Sequence, residues 1–163
     1  GAWSAREGYP ASGTLADERL ITAATYGSPQ TIFGSEAQTN YEHYQDGSDA
    51  SDAYSYTLAS RRNDRIQWID ALENLIVATQ SAVYAFTGDA VDSLPDPTNI
   101  RARPISFNGA SEAPPTTLGS SLFYVSKDSR RIFEMTFQST PNQAGYTVID
   151  RTLLASHIGQ GGA

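Results

Sequence analysis

The chain has 163 residues, enough for one domain with a sizeable core. Its 39% apolar and 18% charged residues exclude a disordered chain. The formal charge of −7 does not invite nucleic acid onto the whole surface and would suit one that lets DNA slide past, but most acidic proteins have no such role, so charge alone decides nothing. With no cysteine, disulfides and Cys-based metal sites are excluded. No apolar run approaches the length of a membrane-spanning helix.

Taken in chain order, the sequence opens at Gly1-Ala2-Trp3-Ser4-Ala5-Arg6, which has neither the basic start nor the apolar core of a signal peptide and no initiator Met. A fragment of a longer protein, or a processed or tagged chain, is therefore expected. Nine Tyr, six Phe and two Trp favour strands, and thirteen Gly and eight Pro supply turns. A first hairpin is predicted from 20–25, a turn at 26–29 and a return over 30–35, with a strand before it at 12–15. A second runs 75–79, turns at Gln80-Ser81 and returns over 82–86, preceded by 65–70. The third runs 122–126, turns at 127–129 and returns over 130–137, preceded by 116–118. Further strands fit at 53–58, 100–107 and 146–150.

One stretch has two readings. Ile66, Ile69, Leu72, Leu75 and Ile76 also fall at helical spacing, but Asn74 favours a tight turn and Leu-Ile-Val follows at once, so two strands with a turn at Glu73-Asn74 are predicted. Near the end, 153–158 reads as one or two helical turns stopped by Gly159, and 159–163 as a flexible tail. The hairpins start 55 and 47 residues apart. A period of about 40–50 residues with several strands per unit is the signature of propeller blades. The expected fold is all-β, with antiparallel units at 9–36, 53–87 and 100–138 resembling about three blades of a β-propeller, and a C-terminal strand and short helix over 145–159. Three units are too few to close a propeller of four to eight blades, so the chain is expected to associate, to open into a stack, or to belong to something larger.

The inventory for chemistry is thin. The histidines are His43 and His157, no Gly-x-Ser-x-Gly elbow surrounds a serine, and no Cys nucleophile exists, so no enzyme is expected. No cofactor is expected either, since the glycines at 159–162 open no helix and form no phosphate loop. Asp46, Ser48, Asp49 and Asp52 are the one candidate for metal, but Ser51 and Thr57 stand where a calcium loop needs Gly and Glu; a solvated turn with side-chain caps is the better reading. A second long loop, 88–99, carries Asp89, Asp92 and Asp96. Arg61, Arg62 and Arg65, then Arg101 and Arg103, then Arg130 and Arg131 sit beside strand edges or turns, where charge blocks edge-to-edge pairing. Trp68, between Ile66 and Ile69, is expected in the core; Trp3 is a candidate binding aromatic. Tyr41, Tyr44, Tyr54 and Tyr56 offer rings on which sugars stack, which makes a surface module that binds carbohydrate the alternative function; packing within strands and loops is the plainer account of them.

A series of local signatures runs nearly the whole chain: Trp3-Ser4, Arg6-Glu7-Gly8-Tyr9-Pro10, Glu18-Arg19-Leu20, Pro29-Gln30-Thr31-Ile32-Phe33-Gly34-Ser35, Thr57-Leu58-Ala59-Ser60, Ile66-Gln67-Trp68, Leu75-Ile76-Val77-Ala78-Thr79, Pro97-Thr98-Asn99-Ile100, Tyr146 and Leu153-Leu154-Ala155-Ser156-His157-Ile158. In this order they resemble the tail nozzle, or tail tubular protein B, family of phage and prophage virion proteins of short-tailed phages. The resemblance implies a β-propeller-containing subunit of a hexameric tube at the tail tip, meeting copies of itself and the other tail and portal-adaptor proteins. Double-stranded DNA would pass its lumen without specific binding. It also implies a protein made in the bacterial host cytoplasm and located in the virion, with no catalytic, cofactor or metal residues to transfer. Family members are much longer, so the chain is expected to be a central fragment or a shortened relative.

Overall fold

Short apolar runs punctuated by Gly, Pro, Asp and Ser fold into twelve strands in the computed structural model, which describes residues 3–37, 49–59, 64–90, 93–140 and 143–153. They form three four-stranded antiparallel sheets, each an up-and-down meander in chain order. Sheet 1 holds β1 (Ser12–Ala16), β2 (Arg19–Ala23), β3 (Thr31–Gly34) and β4 (Tyr54–Thr57). Sheet 2 holds β5 (Ile66–Ala71), β6 (Leu75–Thr79), β7 (Val83–Thr87) and β8 (Arg101–Ser106). Sheet 3 holds β9 (Thr116–Leu118), β10 (Ser121–Val125), β11 (Ile132–Thr140) and β12 (Gln143–Asp150). The described residues contain no helix, and none of the sheets closes into a barrel. The architecture is three propeller-like blades, short of a closed ring.

The three hairpins expected from the sequence are the middle pairs of the three sheets. The unit boundaries differ. From sequence, the strand at 53–58 opens the second unit and that at 100–107 the third, yet Tyr54 and Tyr56 pair with Gly34 and Ile32, and Arg103 pairs with Ala85. Each hairpin leaves its second strand with an unpaired row of backbone groups, and the next extended segment satisfies it before the chain moves on. The crossings between sheets therefore fall at 58–65 and 107–115. The C-terminal strand is present as β12; of the helix expected at 153–158, Leu153 ends a turn over 151–153 and 154–158 lies outside the described residues.

The ambiguous stretch is two strands around a turn at 72–74. Its helix-like spacing has a structural cause. The register slips between Ile66 and Trp68, so Ile66 and Ile69 face one side and Trp68 the other. A bulge shifts strand alternation by one and so imitates a period of three. At the first turn, Asp17 and Glu18 both have positive φ, 51° and 57°, as a two-residue hairpin of matching twist requires.

Packing follows the strand period of two. Leu75 and Val77 of β6 join a core with Ile21, Ala23 and Ile32 of sheet 1. Ile76 and Ala78 of the same strand join a second core with Leu122, Tyr124 and Met135 of sheet 3. Sheet 2 is thus covered on both faces, which is why Leu75–Thr79 is a continuous buried run and not an alternating one. Trp68 is buried beside Tyr124, as expected from the sequence, and Tyr124 stacks on Phe133. Each such fully buried side chain contributes about 1.5–3 kcal/mol.

Candidate functional site

The strand pairs align the sheets position by position. Ile21 and Ala23 of β2 lie across from Gly34 and Ile32. Ile76 and Ala78 of β6 lie likewise across from Ala85 and Val83, and Phe123 and Val125 of β10 across from Glu134 and Ile132. These three sets form the leading face of each sheet, the side toward the sheet that follows. On sheets 1 and 2 it is buried beneath the next sheet. On sheet 3 none of the described residues covers it: Phe123 and Val125 are half-buried, and Leu118, Ile132 and Ile149 are exposed. The opposite, trailing face carries Leu20, Thr22 and Phe33 on sheet 1, Leu75, Val77 and Tyr84 on sheet 2, and Leu122, Tyr124 and Phe133 on sheet 3. On sheet 1 that face is only partly covered: Leu15 is exposed, Leu20 and Phe33 are half-buried, and Trp3 sits edge-on to Phe33 at 6.3 Å.

Crossings between sheets are stitched by backbone. Ala110 N donates to Thr79 O of sheet 2 at 2.9 Å, and Ser111 N donates to Val125 O of sheet 3 at 3.0 Å. Gly109 is needed here because a Cβ would fall 1.8 Å from the Gln80 carbonyl oxygen. Between sheets 1 and 2, Leu58 N donates to Gln30 O and Ile66 N to Pro29 O, both at 3.0 Å. Polar side chains fix the turns that these crossings touch. The buried Asp64 carboxylate accepts from the Thr79 hydroxyl at 2.7 Å, from Ser81 N at 3.1 Å and from the Ser81 hydroxyl. The Tyr146 hydroxyl donates to Asn74 Oδ1 at 2.9 Å and accepts from Asn74 N at 3.1 Å, tying sheet 3 to the β5–β6 turn.

Arg19 is the least expected element. Its side chain is buried, with the guanidinium donating to the carbonyls of Ser35, Ala50 and Asp52, the last at 2.7 Å. It clamps the two ends of the connection from β3 to β4 and lies 5.7 Å from the Tyr54 ring centroid. Burial pushes the Tyr54 hydroxyl up to about 12, against the lowering field of Arg19. Gly34 leaves room for that ring, since a Cβ there would fall 2.3 Å from it.

The residues singled out from sequence are dispersed. Tyr54 is in the core and Tyr56 packs edge-on against Phe86 at 5.3 Å, so neither ring is open to a sugar; Tyr41 and Tyr44 lie outside the described residues. His43, Asp46, Ser48, Arg61, Arg62, Asp92 and His157 also lie outside them. Asp52 accepts from Asp49 N at 3.0 Å, a turn cap, and among the described residues no group of acidic or His side chains is placed to hold a metal. Asp96 caps Thr98 and Asn99; burial raises its carboxyl, but these hydrogen bonds outweigh burial and hold it below the usual range. Arg101 pairs with Asp89 at 2.9 Å, and Arg103 donates to Thr87 Oγ1 at 3.2 Å; both stand on β8, an edge strand that also carries Pro104. Arg131 lies 3.8 Å from Asp150.

Between the turns of sheets 2 and 3 lies an open groove of about 620 Å³, lined by Gln80, Phe107, Asn108, Lys127 and Arg131 over Phe133. No protein-family model matches the chain, and no curated protein matches it. Among the described residues, the feature with the clearest internal logic is therefore the uncovered blade face, together with the stitches that set each sheet on the one before it. From sequence the repeat was legible, but the face was not. Arg19 and Asp64 gave no signal, because each stands in a charged stretch, Asp17-Glu18-Arg19 and Arg61–Arg65, that reads as solvated.

Proposed function

We propose that the chain is a non-catalytic structural component of a short-tailed phage tail, part of the nozzle wall through which double-stranded DNA passes. It assembles with copies of itself and with other tail or adaptor proteins in the virion. One observation supports the reading: the leading face of sheet 3 repeats, in register, two faces that are buried inside the chain, yet is left uncovered by the described residues. A surface of that kind is built to be covered in a larger assembly. The Arg6–Pro10 and Pro29–Ser35 signatures supply the direction toward the nozzle family. The net charge of −7 suits a wall that repels phosphate and keeps DNA moving. The carbohydrate alternative is weaker, because two of its four tyrosines are occupied in packing.

Quantitative mass spectrometry of purified phage particles tests the proposal. The protein should be present in a fixed ratio to the tail proteins. Its absence from particles, with abundance in the lysate, would overturn the assignment.

A further inference from the structure

We infer that two copies of this chain pair head to tail, the leading face of sheet 3 in each seating on the trailing face of sheet 1 in the other. This rests on the blade geometry and not on the virion reading. Within one chain, a leading face meets a trailing face twice: Ile21, Ala23 and Ile32 against Leu75, Val77 and Phe86, then Ile76, Ala78 and Val83 against Leu122, Tyr124 and Phe133. Among the described residues, the two sheet faces left wholly or partly open at the ends of the stack are one of each kind. Phe123, Val125 and Ile132 take the places of Ile76, Ala78 and Val83. Leu20 and Phe33 take the places of Leu75 and Tyr84.

A third joint of this type continues the interface already built twice. Two such joints join two copies of three sheets into a ring of about six, within the range of four to eight blades for closed propellers. Heterologous joints of this kind close when the rotation per unit permits and otherwise grow into open chains. The polar interruption on sheet 3 is already answered: Glu134 sits where Gly34 and Ala85 sit on the other sheets, and it pairs with Arg151 and accepts from the Ser121 hydroxyl at 2.8 Å. It brings no unpaired charge into the joint.

Sedimentation equilibrium of the 163-residue chain reads the pairing directly. The expected mass is twice that of the 17.6 kDa chain. Ile132→Asp on the leading face and Leu15→Asp on the trailing face, both at exposed positions, should each weaken pairing by about a hundredfold, with circular dichroism showing both variants folded. Mixing the two variants leaves one joint with both faces intact, so the mixture should recover a dimer that neither variant forms alone. A wild-type monomer at about 100 μM, which lies well above the Kd of a specific pair, would overturn the inference. So would an Ile132→Asp variant that still pairs, a Leu15→Asp variant that still pairs (the sign of a symmetric face-to-face dimer), or a mixture that stays monomeric. A monomeric wild type would leave the virion reading standing, because that reading is tested by the content of particles.

Discussion

Replacing Gly109 by alanine adds one methyl group where the crossing from sheet 2 to sheet 3 passes the β6–β7 turn. The new carbon would lie 1.8 Å from the Gln80 carbonyl oxygen and 2.8 Å from Ser81 N. Non-bonded heavy atoms rest at roughly 3.5 Å, so the crossing must lift away from the turn. Lifting strains the bond from Ala110 N to Thr79 O and the bond from Lys127 N to Gly109 O, both 2.9 Å. Two such bonds contribute about 1 kcal/mol each, and overpacking of this kind costs about 1–3 kcal/mol. Against this, alanine reduces the freedom of the unfolded chain, worth about 0.4–1 kcal/mol. The net expectation is a loss of about 2–4 kcal/mol. In a chain of this size that lowers Tm by roughly 5–15 °C. Urea unfolding followed by tryptophan fluorescence measures it, since Trp68 lies in the core between the two sheets. Gly145→Ala in β12 is the control: its Cβ meets nothing within 4 Å, so the same chemical change should leave stability equal or slightly higher. A Gly109→Ala protein as stable as wild type would refute the close-packed crossing.

Arg19→Met should cost about 2–4 kcal/mol in urea unfolding, because buried carbonyls lose their donor. Arg19→Lys should not restore it, since one ammonium cannot span the carbonyls of Ser35, Ala50 and Asp52. Asp64→Ala removes the acceptor shared by Thr79 and Ser81, while the Thr79 hydroxyl keeps Ala82 O at 2.9 Å, and should lower stability by about 1–2 kcal/mol, with Asp64→Asn intermediate, both measured by the same titration. Burial pushes the Tyr54 and Tyr146 hydroxyls up to about 12, above the ordinary 10.0. Their contribution to stability is complete below pH 10 and is lost as pH rises toward 12, so the alkaline absorbance titration should show late-ionising tyrosines released together with unfolding.

The hairpins, their turns and the burial of Trp68 were legible because alternation and turn residues act locally. The fourth strands of sheets 1 and 2 fell in the wrong unit for the opposite reason. Nothing in Tyr54-Ser55-Tyr56-Thr57 or in Arg101–Ser106 says which hairpin it will join, since pairing across a loop is settled by the edge left open in space. The bulge at Gln67 turned a strand into an apparent helix on paper, because one extra residue defeats a period of two. The uncovered face could be located only once register was known: Phe123 and Val125 look like ordinary core residues in sequence, and it is their alignment with Ile76 and Ala78 that makes their exposure meaningful. The partners of Arg19 and Asp64 are backbone and hydroxyl groups of turns up to 33 residues away, a distance at which sequence carries no pairing information.

Cryo-electron microscopy of an intact phage particle tests the central claim most directly. The expected result is that the three sheets lie in the wall of a tail ring around a channel wide enough for duplex DNA, with the leading face of sheet 3 covered by another sheet. Density for the chain outside the tail, or in a tail ring with that face open to solvent, would contradict it.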